Sequence, residues 1–400
     1  MKLDTIIIGG GLSGITAGLR LQKAGQKTAI ISAGQNALHF SSGTFSVLGS
    51  GAKLPEGHPY TKIDTERYLD EVIPFFASAG ISLSGNPHRN GWRLTPSGTL
   101  LEGRFALEGT TLFASKDELK ARKALIVNIP GFLDFNTAFL ADGLEKLGIA
   151  SRQANLDIEE LTRLRNNPSE MRAVNIARVA DNVPKKVIGA IESLLGDEDL
   201  VILPQVFGLK DATLPTQLSE AISTRVLLVG TMPPSVPGIR AQMLLKRAYE
   251  QAGGIFLMGD EAVAPVMDKT HVKAIRTHNL GDHLLQADHY ILASGSFFSK
   301  GLTSSMEKIS EPLFGLDVFQ TSERTDWYQL DFFAPQAYGG FGVETDGQFR
   351  AFKDGNIIDN LYAIGSVLAH CDALQSGCGA GVAILTAFAA ADTILQNARV

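Results

Sequence analysis

The sequence predicts an α/β protein with a Rossmann-like fold and an inserted helical or mixed cap domain, and three observations lead to this prediction. A β-branched run at residues 5–8 (TIII) leads directly into the glycine-rich turn 9–14 (GGGLSG). A polar, helix-rich stretch follows over 140–199, and strand and helix patterns alternate again from about residue 225. A first domain that is completed by later segments indicates an insertion between them.

The predicted domain limits follow these changes of pattern. Amphipathic stretches at 157–164 and 183–195 predict helices of the insertion, with a loop at 166–168 (NNP). We expect the nucleotide-binding domain to comprise residues 1–75, 230–300 and 345–400, and the cap or substrate-side domain to comprise 76–229 with a return over 301–344.

The first glycine-rich turn matches G-x-G-x-x-G with a strand before it and a helix, 12–23, after it. In this pattern Gly9 permits the tight turn, Gly11 lets the backbone approach a phosphate, and Gly14 allows close helix packing. The phosphate would rest on the N-terminus of the helix, at Leu12 and Ser13. The alternative is a glycine turn without a ligand.

The second strand lacks the acidic residue that usually binds the ribose 2′-OH of an adenine dinucleotide. Residues 28–34 read TAIISAG, and Ser32 stands where a carboxylate is expected. A neutral hydroxyl makes one hydrogen bond and supplies no charged acceptor. This departure favours a mononucleotide over a dinucleotide.

Residues 35–44 (QNALHFSSGT) form a loop of small and hydrogen-bonding residues where chains of this kind reach an isoalloxazine ring. The sequence therefore predicts a flavin, FMN, with FAD as the alternative. Ser41 and Ser42 are candidates to hold phosphate or ribityl oxygens, beside Gly43. His39 is a candidate to stabilise charge on the reduced flavin or to move a proton; the alternative is an ordinary loop histidine.

Two later strand ends and a second glycine-rich run are predicted to complete the site. Residues 288–295 (DHYILASG) and 360–366 (NLYAIGS) end in small residues, and 376–381 (SGCGAG) opens a helix. A helix N-terminus suits the anionic edge of a reduced flavin. The cofactor-binding candidates here are Ala293, Ser294, Gly295, Gly365, Ser366 and Gly379. From Gly381 onward, close helix packing is the favoured interpretation.

Cationic side chains are candidates to bind a phosphate or quinone group near the flavin. They are Arg240, which is preferred, Lys300, Arg324 and His370, with Asp372 placed to orient His370. Their alternative role is as surface or interface charges. The candidate catalytic residues are His39, Arg240 and His370.

The composition excludes several classes of function. The net charge of −6 disfavours nucleic-acid binding. Cys371 and Cys378, the only cysteines, form no C-x-x-C motif, which indicates a reducing compartment and favours packing over redox pairing. His278, His283 and His289 have a spacing unsuited to a metal, and no metal site is predicted. The apolar stretch 380–391 is too short to span a bilayer, and the N-terminus resembles no export signal, so we expect a cytoplasmic protein.

Several of these segments together resemble the B-subunit family of bacterial anaerobic glycerol-3-phosphate dehydrogenase. The resemblance spans nearly the whole chain and rests on TIIIGGGLSG, GQNALHFSSGT, PPSVPGIR, ILASG, NLYAIGS and GCGAGV, of which the loop 37–43 is the most specific. The glycine motif and NLYAIG are shared with other flavoproteins that contain two dinucleotide-binding domains.

The resemblance implies an FMN-bearing oxidoreductase subunit that pairs with an FAD-bearing catalytic subunit, the one that oxidises the substrate. An Fe–S membrane-anchoring subunit would hold the pair on the cytoplasmic face of the inner membrane. Electrons from sn-glycerol 3-phosphate would then pass to the quinone pool. The alternatives are a self-sufficient FAD-dependent oxidoreductase of another small substrate and a structural subunit without cofactor.

Overall fold

The computed structural model describes residues 3–48 and 53–397. The helices are α1 (Leu12–Lys23), α2 (Thr65–Ala77), α3 (Thr137–Lys146), α4 (Glu159–Arg165), α5 (Ala173–Asn182), α6 (Pro184–Leu194), α7 (Thr213–Ala221), α8 (Val236–Gln251), α9 (Ala373–Ser376) and α10 (Gly379–Asn397).

The strands are β1 (Leu3–Ile8), β2 (Thr28–Ser32), β3 (Thr44–Phe45), β4 (Leu83–Gly85), β5 (Gly91–Leu94), β6 (Leu100–Gly103), β7 (Phe105–Leu107), β8 (Lys123–Asn128), β9 (Ala150–Asn155), β10 (Leu200–Pro204), β11 (Arg225–Val229), β12 (Ile255–Met258), β13 (Ala262–Asp268), β14 (His271–Thr277), β15 (Ala287–Leu292), β16 (Thr303–Ser304), β17 (Ile309–Ser310), β18 (Val318–Phe319), β19 (Gly342–Val343), β20 (Arg350–Lys353) and β21 (Asn356–Ala363).

The chain divides into two compact units. Unit 1 comprises Met1–Ala37, Ser46–Gly80 and Leu245–Val400, and unit 2 comprises Leu38–Phe45 and Ile81–Leu244. Both units contain a parallel sheet, so the α/β prediction is confirmed.

Unit 1 is built on a six-stranded sheet in the order β12-β2-β1-β15-β21-β20. The first five strands are parallel, and β20 is antiparallel to β21. β1 and β2 are rich in β-branched residues and almost entirely buried, as in parallel sheets that are covered on both faces. α1 packs against α10. The carboxyl ends of β2, β1, β15 and β21 therefore lie at one edge, where open α/β sheets bind their ligands.

Unit 2 has a four-stranded parallel sheet in the order β11-β10-β8-β9, a three-stranded sheet β3-β7-β4 and the hairpin β5-β6. Leu125 and Ile126 of β8 and Val201 and Ile202 of β10 are completely buried. They belong to a hydrophobic core that also includes residues of α3, α5, α6 and α7. Unit 2 thus has its own core.

The predicted insertion contains more sheet than its sequence suggests. The expected helices over 157–164 and 183–195 are present as α4 and α6, but β9 crosses the polar stretch 140–199 and pairs with β8. β9 is an edge strand with the sequence ASRQAN and mostly accessible side chains. A strand that is open on one edge and polar in composition gives no clear alternation, and this is why it was not predicted.

The compact units also differ from the predicted domain limits. Residues 301–344, expected on the cap side, lie in unit 1, because β18 pairs with β19 and the Asp317 amide donates to the carbonyl of Phe352 in β20. Unit 2 begins with the short piece 38–45 and extends to Leu244, past the predicted limit at 229.

α10 is longer than the apolar stretch from which it was predicted. It has 19 residues, and within the described part of the chain it is the one helix long and apolar enough to cross a membrane. However, 67% of its apolar window is buried inside the protein. That burial is typical of the core helix of a folded domain.

Candidate cofactor-binding site

The turn after β1 approaches the end of β15 so closely that only glycine fits at its first position. Gly9 has φ +117°, and a Cβ there would lie 2.1 Å from the Ala293 carbonyl oxygen. The Gly9 amide donates to Ile31 at 2.8 Å, and the Ala293 amide donates to Ile8 at 2.7 Å. These bonds hold the ends of β2, β1 and β15 together.

The first turn of α1 is packed against the same strand ends. A Cβ on Gly14 would lie 1.9 Å from the Gly9 carbonyl oxygen, and a Cβ on Gly365 would lie 2.6 Å from Ser13 Oγ. The Gly365 amide donates to Thr386 Oγ1 of α10 at 3.0 Å. The contacts of Gly9, Gly14 and Gly365 thus place the N-terminus of α1 between the ends of β1 and β21.

Gly11, in contrast, faces open space. A Cβ there would meet no atom within 4 Å. α1 has no side-chain cap and no acidic residue in its first turn. Within the described residues, the amides of Gly11, Leu12 and Ser13 donate to no protein acceptor. Free amides at the positive end of a helix form an anion-binding site.

A buried hydroxyl without a partner lies next to this turn. Ser294 Oγ is inaccessible to solvent and makes no hydrogen bond. A Cβ on Gly301 would lie 2.8 Å from that oxygen, and a Cβ on Gly295 would lie 3.7 Å from Ser366 Oγ. Because buried polar groups are normally satisfied, the orphaned hydroxyl and the free amides fit a polar ligand with a phosphate group. A flavin nucleotide meets both requirements.

The end of β2 offers no carboxylate to such a ligand. Ser32 is buried and its hydroxyl donates to the Gly34 carbonyl at 3.1 Å. The Asn36 side-chain amide donates to the Gly10 carbonyl at 3.0 Å. The end of β2 itself therefore presents no charged acceptor.

The predicted residues of the loop 37–43 lie in unit 2 and are engaged there. Ser41 Oγ accepts from the Gly43 amide at 3.1 Å, and the Ser42 hydroxyl lies 3.0 Å from Thr44 Oγ1. A Cβ on Gly43 would lie 2.4 Å from Thr110 Oγ1. These contacts show that close packing within the loop requires small residues at these positions. The role of Ser41, Ser42 and Gly43 in binding the cofactor remains a prediction.

His39 and Arg240, both candidate catalytic residues, also belong to unit 2. The His39 carbonyl accepts from the Ser235 amide at 2.6 Å, and its half-buried ring lies 4.1 Å from that of Phe40. Arg240 is 5% exposed and donates to the carbonyls of Gly208 and Glu108. Burial lowers the pKa of Arg240. The structure thus gives Arg240 a role in holding unit 2 together rather than the predicted anion-binding role.

His370, in unit 1, is positioned by different residues from those expected. Its Nε2 lies 3.6 Å from Glu344 Oε1, and its ring lies 4.1 Å from that of Phe319. Asp372 instead caps α9, accepting from the amides of Leu374 and Gln375. The predicted orientation of His370 by Asp372 is therefore wrong.

The two remaining cationic candidates lie at the surface of unit 1. Lys300 is exposed, at the end of a short 3-10 turn. Arg324 donates to the Ser305 carbonyl at 2.8 Å, and its guanidinium lies 5.0 Å from the centre of the Trp327 ring. Both residues therefore fit the alternative interpretation, in which they are surface charges and bind no ligand group.

The second glycine-rich run is closely packed against protein atoms at Gly381. A Cβ on Gly381 would lie 2.2 Å from Tyr60 Oη, which agrees with close packing. At Gly379 a Cβ would lie 3.2 Å from the Ala373 Cβ. This contact is with α9, and the predicted role of Gly379 in binding the cofactor remains a prediction.

Sequence reasoning missed one cluster beside this run. The sulfurs of Cys371 and Cys378 lie 3.7 Å apart, and His58 Nε2 lies 4.0 Å from Cys378 Sγ. His58 is distant in sequence and follows no motif, so no sequence signal would have placed it here. The two cysteines, expected to be packing or lining residues rather than redox partners, are in contact with each other.

Comparison with known proteins agrees with the geometry of the turn. Residues 4–382 match the family described as FAD binding domain. The chain is 39% identical to the B subunit of anaerobic glycerol-3-phosphate dehydrogenase from Pectobacterium atrosepticum over 99% of each chain. It is 36% identical to the protein of the same name from Yersinia pseudotuberculosis, again over 99% of each. The crystal structure of 3-ketosteroid delta1-dehydrogenase from Sterolibacterium denitrificans covers 99% of the chain with 12% identity and a TM-score of 0.44.

The chain belongs to the B-subunit family of anaerobic glycerol-3-phosphate dehydrogenase, within the FAD-binding-domain flavoproteins. The resemblance found in the sequence is confirmed. The cofactor class is therefore a flavin, in agreement with the open turn at Gly11.

Proposed function

We propose that this chain is the FMN-bearing subunit of an anaerobic glycerol-3-phosphate dehydrogenase, where it transfers electrons within the complex. The complex oxidises sn-glycerol 3-phosphate to dihydroxyacetone phosphate and passes the electrons toward the quinone pool. The observation that carries the proposal is the set of free amides at Gly11, Leu12 and Ser13 in a chain of the B-subunit family. They supply the anion site that a flavin nucleotide needs.

The residues of this chain bind and orient the cofactor. The amides at the start of α1 would hold its phosphate, and Ser294 Oγ would satisfy a second polar group. The flavin, when bound, supplies the electron acceptor and donor, and the protein tunes its potential through hydrogen bonds and local charge. None of this requires a glycerol phosphate site in the chain itself.

FMN is favoured over FAD by the neutral end of β2. An adenosine ribose is usually held by a carboxylate after the second strand, and residues 32–36 read SAGQN. Ser32 is turned inward, where its hydroxyl donates to the Gly34 carbonyl. The proposed site therefore supports the phosphate of a mononucleotide and lacks the usual ribose acceptor.

Acid release of the flavin from the purified chain, followed by chromatographic separation, tests this choice. We expect FMN. FAD in its place would overturn the assignment of the nucleotide while leaving the assignment of a flavoprotein intact.

The proposed partners are an FAD-bearing catalytic subunit, which oxidises the substrate, and an Fe–S subunit that anchors the complex. The Fe–S subunit would hold the complex on the cytoplasmic face of the inner membrane, so that this chain is peripheral. Support comes from the relatives, which are named as one part of a larger enzyme.

An exposed apolar segment of unit 1 supports a surface that meets another protein of this complex. Leu330, Phe332 and Phe333 are 95%, 83% and 91% exposed, and the two phenylalanine rings lie 5.3 Å apart. Large apolar groups clustered on a surface are typical of protein interfaces. The double variant Phe332→Ser/Phe333→Ser should lose co-purification with the catalytic and Fe–S subunits while keeping its flavin. Phe139→Ser, at a residue that is 65% exposed in unit 2, is the matched control and should co-purify normally.

Reduction of the flavin by substrate separates the proposed function from its alternatives. Glycerol 3-phosphate should bleach the flavin of this chain only when the catalytic subunit is present. Bleaching of the isolated chain would indicate a self-sufficient oxidoreductase. A purified chain without any flavin would indicate a purely structural role.

A further inference from the structure

Three side chains of unit 1 that carry reactive groups meet at the second glycine-rich run. They are His58, Cys371 and Cys378, and their ligand atoms all lie within 4.8 Å of one another. His58 is 2% exposed and Cys378 is completely buried, whereas Cys371 is only partly buried. Nothing in the proposed function uses these groups.

The fold brings the two sulfurs together through a short helical turn. Asp372 caps α9, and Gly377 ends it in the left-handed conformation, so the chain reverses between the cysteines. The sulfurs lie 3.7 Å apart, and the Ser376 hydroxyl lies 3.0 Å from Cys378 Sγ. The separation is close to contact between two sulfur atoms.

A metal ion would fit the distances, but the tautomer of His58 disfavours it. The Tyr60 backbone amide donates to His58 Nδ1 at 3.1 Å. Since a backbone amide is always a donor, Nδ1 carries no proton in the neutral ring, and the proton is on Nε2. A metal-bound histidine normally donates from its other nitrogen. Here the nitrogen that faces Cys378 is itself the donor.

The same tautomer supports a thiolate at Cys378. The Cys371 thiol and the His58 Nε2–H can both donate to its sulfur, whereas the single proton of the Ser376 hydroxyl is donated to the Asp372 carbonyl. These hydrogen bonds, with that of Cys371 the largest contribution, lower the pKa of Cys378, against the effect of burial. The pKa of Cys371 is raised by its bond to Cys378, by burial and by the nearby Asp372 carboxylate. The opposite shifts of the two pKa values favour a pair that shares one proton, with the thiolate on Cys378.

We propose that Cys371 and Cys378 are a redox-active dithiol that closes reversibly to a disulfide by exchange with a low-molecular-weight disulfide. The inference rests on the geometry of the three side chains and is independent of the identity of the flavin and of the partner proteins.

The exchange proceeds in two displacements that balance. The shared proton moves to Cys378, and the Cys371 sulfur, which is the accessible one, attacks the small disulfide and releases one thiolate. That thiolate takes up the shared proton. The Cys378 thiolate then attacks Cys371 Sγ and expels the second thiolate. The protein pair loses two electrons and one proton, and the small disulfide is reduced to one thiol and one thiolate.

Counting thiols gives a direct test, because the chain contains only these two cysteines. The reduced, purified full-length chain is incubated with oxidised glutathione, then denatured and titrated with a thiol reagent. We expect both thiols to disappear, with a mass lower by two hydrogen atoms, no glutathione adduct, and full recovery with dithiothreitol. Two remaining thiols, or a stable glutathione adduct, would overturn the proposal. So would a stoichiometric zinc ion in the purified chain that is lost in Cys378→Ser.

Single variants test the order of the steps. Cys378→Ser should stop at a stable glutathione adduct on Cys371, because no second thiolate is present to displace it. Cys371→Ser should leave Cys378 unmodified, because Cys378 is completely buried. Rapid glutathione addition to Cys378 in the second variant would contradict the assigned order.

His58 acts as a positioning residue in this scheme. His58→Phe should slow disulfide closure about tenfold and move its pH dependence upward, since the Nε2–H that favours the thiolate is lost. A purely structural role would alter the thermal midpoint without moving the pH profile. An unchanged rate and pH profile would remove His58 from the proposal.

Discussion

Two glycine-rich turns of unit 1 each lead into a helix, and their surroundings differ. Before α1, Gly11 faces open space and the adjacent amides are free. Before α10, a Cβ on Gly381 would lie 2.2 Å from Tyr60 Oη and 3.0 Å from the Ser46 carbonyl oxygen. Similar composition therefore leaves space at one turn and is closely packed at the other. The contacts around a glycine, rather than its presence, identify a cofactor site.

The largest expected effect on the free energy of unfolding is at Gly14, the closely packed glycine at the start of α1. Gly14→Ala places a methyl group 1.9 Å from the Gly9 carbonyl oxygen, a backbone atom that cannot move aside cheaply. We expect the free energy of unfolding to fall by about 3 kcal/mol or more, although alanine is the better helix former by about 1 kcal/mol.

Gly189→Ala in α6 is the matched control for this measurement. Gly189 is an exposed helical residue whose Cβ would meet nothing within 4 Å. Chemical denaturation should show a gain of about 0.5–1 kcal/mol there. A Gly14→Ala protein as stable as this control would show that the first turn is not closely packed against β1.

An intermediate effect is expected at the second turn. Gly381→Ala should lower the free energy of unfolding by about 1–3 kcal/mol, because both Tyr60 and the Ser46 backbone must shift. In Gly379→Ala the new methyl group contacts only the Ala373 Cβ, at 3.2 Å. We expect the free energy of unfolding to change by less than about 0.5 kcal/mol. Equal thermal midpoints for the two variants would contradict the packing interpretation. Neither change should lower flavin content.

The smallest effect on the free energy of unfolding concerns the ion pair between α1 and α10. Arg20 of α1 donates to Asp392 of α10 at 2.7 and 2.9 Å and to Glu71 of α2 at 2.7 Å, and it is largely buried. Arg20→Met should cost about 1–2 kcal/mol, because Asp392 and Glu71 lose their shortest ion pairs and keep only the longer ones with Arg67.

Arg163→Met is the control for this pair. It removes an exposed pair with Glu159, four residues away within α4, and should cost less than about 0.5 kcal/mol. Comparable losses in the two variants would show that the buried pair contributes no more than a surface one.

The local part of the site was predictable from the sequence. The strand β1, the turn at Gly9 and the helix α1 are adjacent in the chain, and their β-branched and glycine pattern specifies them without distant contacts.

The remaining features depend on distant contacts. The polar edge strand β9 shows its identity only through its pairing with β8. The role of Arg240 depends on two carbonyls that it reaches across unit 2. The pairing of Cys371 with Cys378, and the approach of His58, depend on a turn and on a tertiary contact that spacing alone does not reveal.

Flavin content of a charge-bearing variant at the open glycine tests the central claim most directly. Gly11→Glu should lose its flavin, through steric and charge conflict with the phosphate, and keep the thermal midpoint of the cofactor-free wild type, because no protein atom lies within 4 Å. Gly34→Glu, equally free of neighbours, adds the same charge outside the proposed phosphate site and should bind one flavin per chain. Full flavin occupancy in Gly11→Glu would show that the turn after β1 is not the phosphate site.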